Sequence, residues 1–438
     1  MGESVLVWGV ALVAVAAIVV PYAVAFERRR RHDRVRKDEA VRLGIDKPQA
    51  QYPYIDAMRC IGCGSCVEAC PEGEVLGVVG GTATVVNGLK CVGHGKCAEA
   101  CPVGAIEIGL GDLKTRADLP LLDATYQSSV PGLYIVGELG GLALVRNAVA
   151  QGRRAVEHIA ERAGKLPRRE EGVFDLVVVG AGPAGLVAAA TARSLGLDHV
   201  VLEQEPDLGG TIFHYPRRKL VLVQPLDLPG RNPLGEGEYA KERLLEVFQE
   251  LSQRARLRLR FGERVVEIRG KAGAFVTRST GGLWRSRYVV LALGRRGTPR
   301  KLGVAGEELP KVLYQLVDAE SYRGRRILVV GGGDSAVEAA LGLAREPSNQ
   351  VSLSYRREKL VRIKRKNEER FQALVASGAV QPLFNSELTA IAEGRVHLRS
   401  GGKTIELGND DVLIFAGGDP PFPLLKEAGI RFGGAPAT

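Results

Sequence analysis

FDLVVVGAGPAGLVAAATARSLGLDHVVLEQE, residues 174 to 205, is the stretch that decides the fold. Leu176 to Val179 make an apolar strand that runs into Gly180, Gly182 and Gly185 in G-x-G-x-x-G spacing. The first glycine permits a tight turn, the second lets the backbone approach a pyrophosphate, and the third lets the next helix pack close on the strand. Pro183 and Ala184 open that helix, whose free N–H groups face a diphosphate. Glu203 closes the following strand, about 20 residues on, where a carboxylate accepts hydrogen bonds from an adenosine ribose. Glycines serving packing alone are the rival reading. Strand, helix, strand and acid stand in register here, so the pattern predicts a dinucleotide-binding α/β unit.

A second fingerprint follows in R326-I-L-V-V-G331-G-G333-D-S-A336, with Gly331, Gly333, Asp334, Ser335 and Ala336 as its binding set and alanine as the small residue at the helix contact. The next strand ends in Arg356 and Arg357, with Arg362 beyond, and no acid appears where an NAD site has one. Arginine there suits a ribose 2′-phosphate, which favours NADPH over NADH. The bland alternative is a solvated basic face, to which Arg365 and Lys366 are assigned. At 438 residues with 55 glycines, the chain has room for two or three domains and the glycine content of nucleotide loops between buried parallel strands. The formal charge of +10 comes mostly from arginines spread through an α/β pattern, and no nucleic-acid motif accompanies them, so nucleic acid is ranked last among partners.

Residues 4–26 read as a transmembrane helix. The apolar run Val5 to Phe26 covers about 33 Å at about 1.5 Å per residue, and Trp8 and Tyr22 sit near its ends as interface anchors. A signal peptide would carry its positive charges ahead of the run, and a buried core helix is the other rival. Arg28 to Arg31, Arg34 and Arg36 follow it instead, which places the N-terminus outside and the cofactor domains in the cytoplasm, on a single-pass cell-membrane protein. Residues 27–58 read as a basic juxtamembrane segment and linker.

All seven cysteines lie between positions 60 and 101. That confinement excludes a disulfide-stapled secreted domain and a dithiol site in the nucleotide-binding part. Cys60, Cys63, Cys66 and Cys70 form a run whose last cysteine precedes a proline, and Cys91, His94, Cys97 and Cys101 repeat it with His94 in place of a cysteine. Three thiolates at i, i+3 and i+6 can converge on one cuboidal cluster, while the cysteine before proline points to another. A zinc site is the simpler rival, but it needs only four ligands and leaves two Cys-Pro ends unexplained. Residues 74–80 and 82–88 read as a hairpin between the two runs.

Residues 59–112 resemble a bacterial-type ferredoxin domain with two [4Fe-4S] clusters. The resemblance implies that Cys60, Cys63, Cys66 and Cys101 hold one cluster and that Cys70, Cys91 and Cys97 hold the other, with His94 as fourth ligand. The alternatives for His94 are a surface histidine beside a three-cysteine cluster or a [3Fe-4S] centre. Residues 120 to 430 resemble thioredoxin-reductase-like flavoproteins, including the bacillithiol disulfide reductase type. That likeness makes the loop at Gly180 an FAD loop and the one at Gly331 the NADPH loop. Gly210 and Thr211 match the flavin-proximal turn, with His214, Tyr215 and Arg217 either near the flavin or in a structural loop, and Gly294 matches the hinge where the chain leaves the FAD domain. Residues 120–164 resemble the family's last FAD-contacting element, with Gly137 and Glu138 at the flavin and a helix N-terminus at Gly141 to Leu144. This element normally ends such a chain, so the flavoprotein reads as circularly permuted and fused behind the ferredoxin domain. The FAD domain then covers 173–294, the NAD(P) domain 295–415, and residues 416–438 return to the FAD domain.

The expected fold is thus α/β, with two Rossmann-like domains, a small α+β ferredoxin domain and a transmembrane helix. The C-x-x-C dithiol of thioredoxin reductase is absent, and Ala184 stands where the bacillithiol type has cysteine, which argues against disulfide reduction. The expected function is electron transfer from NADPH through FAD and two clusters to a membrane-associated or soluble redox protein or quinone, or the reverse, with no catalytic side chain. A flavin-site reductase of an organic substrate and a non-catalytic redox sensor or assembly subunit are the alternatives. The family likeness implies a homodimer.

Overall fold

A computed structural model describes all residues except 1, 47–50, 111–118, 142–143, 165–169, 224, 231, 295–297 and 434–438. The chain divides into two compact units, Met1–Gly111 with Val361–Glu368, and Asp112–Leu360 with Glu369–Thr438. The short run Val361–Glu368 therefore groups with the cysteine-bearing unit, although the sequence assigns it to the NAD(P) domain.

The first unit opens with α1, Gly2–Leu43. The expected linker is therefore helical as far as Leu43. Residues 27 to 43 contain no glycine or proline, and Glu27 pairs with Arg30 and Arg31 one turn on, at 3.7 and 3.6 Å. After α1 come β1 (Gln51–Ile55), α2 (Ser65–Glu68), β2 (Leu76–Val79), β3 (Thr82–Val85), α3 (Lys96–Glu99) and β4 (Ile106–Leu110). β1 pairs antiparallel with β4, so this domain starts ahead of the expected boundary at 59. β2 and β3 form the expected hairpin in shorter form, turning at Gly80 and Gly81, whose φ of 65° and 86° favour glycine. The polar half of α1 lies along this hairpin. Buried Asp33 accepts from Val78 N at 2.8 Å, while Arg36 and Lys37 donate to the carbonyls of Glu74 and Val85, each at 2.7 Å. Gly77 makes the approach possible, since a methyl there would lie 2.9 Å from the Asp33 carboxyl carbon.

The second unit contains β5 (Leu133–Ile135), α4 (Val145–Ala163), β6 (Phe174–Val179), α5 (Pro183–Ser194) and β7 (His199–Leu202), followed by the remaining strands. β6 lies parallel between β7 and the strand Gly282–Leu291. β5, although earlier in the chain, runs parallel along the other edge of Gly282–Leu291, with Leu133 to Ile135 opposite Val289 to Leu291. The apolar run of β6 serves two cores at once: Leu176 and Val178 face the helices α4 and α5, and Val177 and Val179 join Leu133, Ile135 and Phe275 on the other face. This is why the strand reads as continuous rather than alternating. Residues 119–121 run beside the chain's last described residues, with Leu121 N donating to Arg431 O at 2.9 Å and Gly433 N to Leu119 O at 3.0 Å.

A five-stranded parallel sheet follows in the order Val312–Leu313, Asp411–Ile414, Arg326–Val330, Gln350–Tyr355, Val380–Phe384. A three-stranded antiparallel meander, Ser386–Ala392 to Lys403–Gly408, is inserted between its last two strands in sequence. Two sheets, a mixed one in which Val265–Lys271, Ala274–Ser279 and Gly282–Leu291 pair antiparallel in turn and a parallel one, each with a glycine turn after a central parallel strand, are the expected pair of dinucleotide-binding folds.

Candidate functional site

The two cysteine runs fold as a repeat. Gly62 and Gly64 have φ of 66° and 81°, and their counterparts Gly93 and Gly95 have 75° and 85°. These left-handed turns wrap each run before α2 or α3, which only residues without a Cβ do at little cost. Main-chain N–H groups point at sulfur: Ala83 N lies 3.3 Å from Cys60 Sγ and Ala105 N 3.2 Å from Cys101 Sγ. Burial, with Cys97, Cys60 and Cys63 nearby, pushes the Cys66 thiol up to about 11. Burial, with Cys70 and Cys91 nearby, pushes the Cys97 thiol likewise to about 11. The thiols thus crowd in two groups that meet at Cys66 and Cys97. Thiolates packed this way repel one another unless a cation neutralises them.

Cys70, Cys91, His94 and Cys97 line one cavity, together with Glu72, Leu76 and Ile108. Three of the expected ligands and the substituted histidine are therefore brought to one place by two loops far apart in sequence. Among the described residues, no three His, Cys, Asp or Glu side chains converge as a group able to hold a single metal ion. Soft thiolate donors around a space of this kind suit an iron–sulfur cluster in their chemistry.

In the second unit the expected flavin residues gather at the end of β6. Gly180 has φ 106°, and a methyl there would lie 2.5 Å from Ala292 O. At Gly185 a methyl would lie 1.9 Å from Gly180 O, which is the close helix-on-strand packing that the third glycine allows. Pro183 occupies the first turn of α5, and Ala184 is buried behind it. Gly210 sits against Gly182, its added methyl 3.0 Å from Gly182 Cα, and Thr211 continues the same turn. From the displaced element, Gly137 comes within 3.3 Å of Ala184 Cβ by the same measure, and Glu138 follows it. Gly294 closes the strand Gly282–Leu291 with φ 65°. Ahead of Gly180, Pro183 and Gly185 in the chain but beside them in space, β5 and α4 complete the site.

Glu203 also serves the loop itself. Its carboxylate turns onto the loop backbone, accepting from Ala181 N at 2.6 Å and Glu205 N at 3.0 Å. Burial raises its pKa, with these donors opposing. It braces the glycine turn, and a carboxylate retains acceptor capacity for a ribose beyond two such bonds. The helix start expected at Gly141 to Leu144 is later: α4 begins at Val145, and Leu142 and Ala143 lie outside the described residues. His214 pairs with Gln315 and Glu205, Arg217 pairs with Asp318, and Lys219 reaches Glu338 at 2.7 Å over the Tyr215 ring.

The second glycine loop has Gly331 at φ 145°, Gly333 capping the helix Asp334–Leu343, Ser335 in its first turn and Ala336 fully buried against the strand. Tyr355 lies over Gly332, where a methyl would meet its ring at 2.1 Å. Arg356 and Arg357 follow directly after the strand Gln350–Tyr355. Arg362 falls in the run Val361–Glu368, which groups with the first unit. The physical cause is Val361, buried with Ala40, Ile45 and Val86, its carbonyl accepting from Asn87 Nδ2 at 3.1 Å.

Three residues escaped sequence reasoning. Buried Gln151 accepts from Gly137 N at 2.7 Å. Gly152 lets α4 cross α5 closely, since a methyl there would lie 2.3 Å from Ala184 O. Arg287 ties the Ala163 carbonyl, at 2.7 Å, to Asp175, at 3.1 Å, and so fixes the end of α4 to β6. A glutamine and a glycine inside the apolar stripe of α4 were the available signal. A groove of about 670 Å³ lined by Arg153, Thr191, Asp227 and Arg254 lies at the far end of α5 and shares no residue with the glycine loop.

Comparison with known proteins agrees with this geometry. The family model for pyridine nucleotide-disulphide oxidoreductases matches residues 177–435, and that for a 4Fe-4S dicluster domain matches residues 52–102. A ferredoxin–NADP reductase of Ignicoccus hospitalis is 31% identical over 266 residues, covering 59% of this chain and 82% of that protein. The bacilliredoxin reductase Bdr of Bacillus subtilis is 27% identical over 264 residues, covering 58% and 80%. Among solved structures, the bacillithiol disulfide reductase Bdr of Bacillus cereus gives a TM-score of 0.54 at 27% identity, covering 59% of this chain and 82% of that one.

Proposed function

We infer the function from one premise: the chain belongs to the pyridine nucleotide-disulphide oxidoreductase family and carries a 4Fe-4S dicluster ferredoxin domain ahead of the family's nucleotide-binding region. At this level it is a ferredoxin–NADP reductase-like oxidoreductase. The finer reading is a membrane-anchored enzyme that passes electrons between NADPH and a redox protein or quinone by way of FAD and two clusters, in either direction, as a homodimer. The observation that carries it is the segregation of thiols. All seven cysteines belong to the cluster module, and Ala184 stands at the flavin loop. A nucleotide-reduced flavin therefore has iron–sulfur ligands in the same chain but no dithiol in its own domain.

When bound, FAD exchanges a hydride for single electrons, which [4Fe-4S] clusters carry one at a time. The chain's own residues do the holding. Gly180, Gly182 and the N-terminus of α5 receive a pyrophosphate, Glu203 keeps the loop in shape, and Gly137 and Glu138 close over Ala184 from the displaced element. Arg356 and Arg357 meet a 2′-phosphate. Cys60, Cys63, Cys66 and Cys101 hold one cluster, and Cys70, Cys91, His94 and Cys97 the other.

The permuted order is supported by the pairing of residues 119–121 with 431–433, which brings the displaced element to the end of the family's core. Anchoring is supported by α1, which is long and apolar enough to cross a bilayer and leaves Trp8, Leu12, Ile18 and Tyr22 exposed. Its arginines then lie at the cytoplasmic headgroups.

Likeness to the two Bdr proteins supports a second reading, reduction of a low-molecular-weight disulfide at the flavin. Steady-state NADPH oxidation separates the two. We expect fast turnover with a one-electron acceptor such as an oxidised ferredoxin and background rates with bacillithiol disulfide. The opposite pattern would replace electron transfer with disulfide reduction.

A further inference from the structure

The two runs of the cysteine module, 60–72 and 91–103, differ at five positions, and two of these differences introduce an imidazole and a carboxylate. His94 stands where the first run has Cys63, and Glu72 stands where the second run has Val103. Both departures fall at the same cavity, whose lining includes Cys70, Cys91 and Cys97. His94 Nε2 and Glu72 Oε1 are 3.7 Å apart, and their side chains are only 12% and 7% exposed. Lys364 Nζ stands 3.9 Å from the same Glu72 oxygen. A carboxylate this buried persists only where donors or cations face it, and here an imidazole and an ammonium do. A structural ion pair would account for the contact between His94 and Glu72, but not for both departures from the repeat meeting at one set of thiols.

Resting on the reading that His94 ligates iron, we propose that Glu72 is a positioning residue for it. The Glu72 carboxylate accepts the Nε2–H of His94 and so presents Nδ1 to the space shared with Cys70, Cys91 and Cys97. At 3.7 Å the pair is longer than a hydrogen bond; in the cluster-loaded protein it would shorten to one. Metal-ligating histidines give their second ring nitrogen to such a partner, which fixes the ring and makes it a stronger donor. A neutral imidazole in place of a thiolate raises a cluster's potential, and a carboxylate on its far nitrogen draws the potential back down. Lys364 balances the carboxylate's charge.

The test uses the full-length, cluster-loaded protein labelled with ¹⁵N-histidine. Pulsed EPR reads the histidine nitrogen coupling, and EPR-monitored redox titration reads both cluster potentials. Wild type is expected to show one coupled histidine, and His94→Cys to lose the coupling and lower that cluster's potential. Glu72→Gln should weaken the nitrogen coupling and raise the potential of the same cluster alone. Glu72→Asp should restore most of both, and Lys364→Met should lower the potential with the coupling retained. Absence of histidine coupling in wild type overturns ligation by His94 and this inference with it. Coupling that is present in wild type and unchanged in Glu72→Gln leaves ligation standing and overturns the role of Glu72, even if the potential moves, since charge alone would do that. If Glu72→Gln loses the cluster, Glu72→Asp decides: full retention of coupling and potential supports the proposal, and loss of coupling with the cluster intact contradicts it.

Discussion

Gly185 shows how much one missing methyl group carries. Because its Cβ would lie 1.9 Å from Gly180 O, Gly185→Ala must push α5 away from β6 and spoil the alignment of its N-terminus with a pyrophosphate. Overpacking of this kind costs about 1–3 kcal/mol. Gly185→Ala should therefore lower the melting temperature and weaken FAD retention about tenfold or more, measured by flavin release on dilution. Arg356 and Arg357 make a different prediction. Hydrogen bonds to a charged group are worth about 1.5–3 kcal/mol each, so Arg356→Gln with Arg357→Gln should raise the KM for NADPH by about 10–100-fold or more and leave the KM for NADH within about twofold. Most of these positions are legible in the sequence because the constraint is local: a glycine spacing needs only its own strand and helix. Gln151 and Gly152 are not, because their partners, Gly137 and Ala184, are fixed only when α4 crosses α5.

Among the elements, α1 departs most from its reading. Apolar and arginine-rich halves look like two segments, yet the helix runs through Pro21, the change in hydropathy after Phe26 falls where neither glycine nor proline occurs, and the helix continues to Leu43. What the second half does depends on the hairpin it lies on, which sequence periodicity does not reveal. Two truncations separate its roles. Removal of residues 2–26 should release the protein from anionic vesicles in a flotation assay while leaving the iron content and melting temperature of the cluster module unchanged. Removal of residues 2–43 also deletes Asp33, Arg36 and Lys37, whose bonds to Val78, Glu74 and Val85 are each worth about 0.5–1.5 kcal/mol, and should lower the stability of that module measurably. β5 shows the same dependence on context. Its three residues are too few to be read by periodicity, and they take their place only in the folded sheet, parallel along the edge of Gly282–Leu291.

On the scale of the whole chain, composition alone foretold the division of labour. Thiols are confined to one unit and the glycine loops to the other, because clusters need many soft donors in a small volume while a dinucleotide needs glycine turns at the ends of parallel strands. What composition could not foretell is that Val361–Glu368, beyond the arginines of the second loop, would group with the cysteine unit. That assignment comes from burial of Val361 against residues more than 270 positions away, such as Asn87. The central claim is that the two units exchange electrons. Its most direct test is anaerobic titration of the full-length, cofactor-loaded protein with NADPH, read together by flavin absorbance and by EPR of the clusters. We predict that flavin bleaching is accompanied by the signal of at least one reduced cluster. Complete bleaching of the flavin with both clusters still oxidised would contradict it.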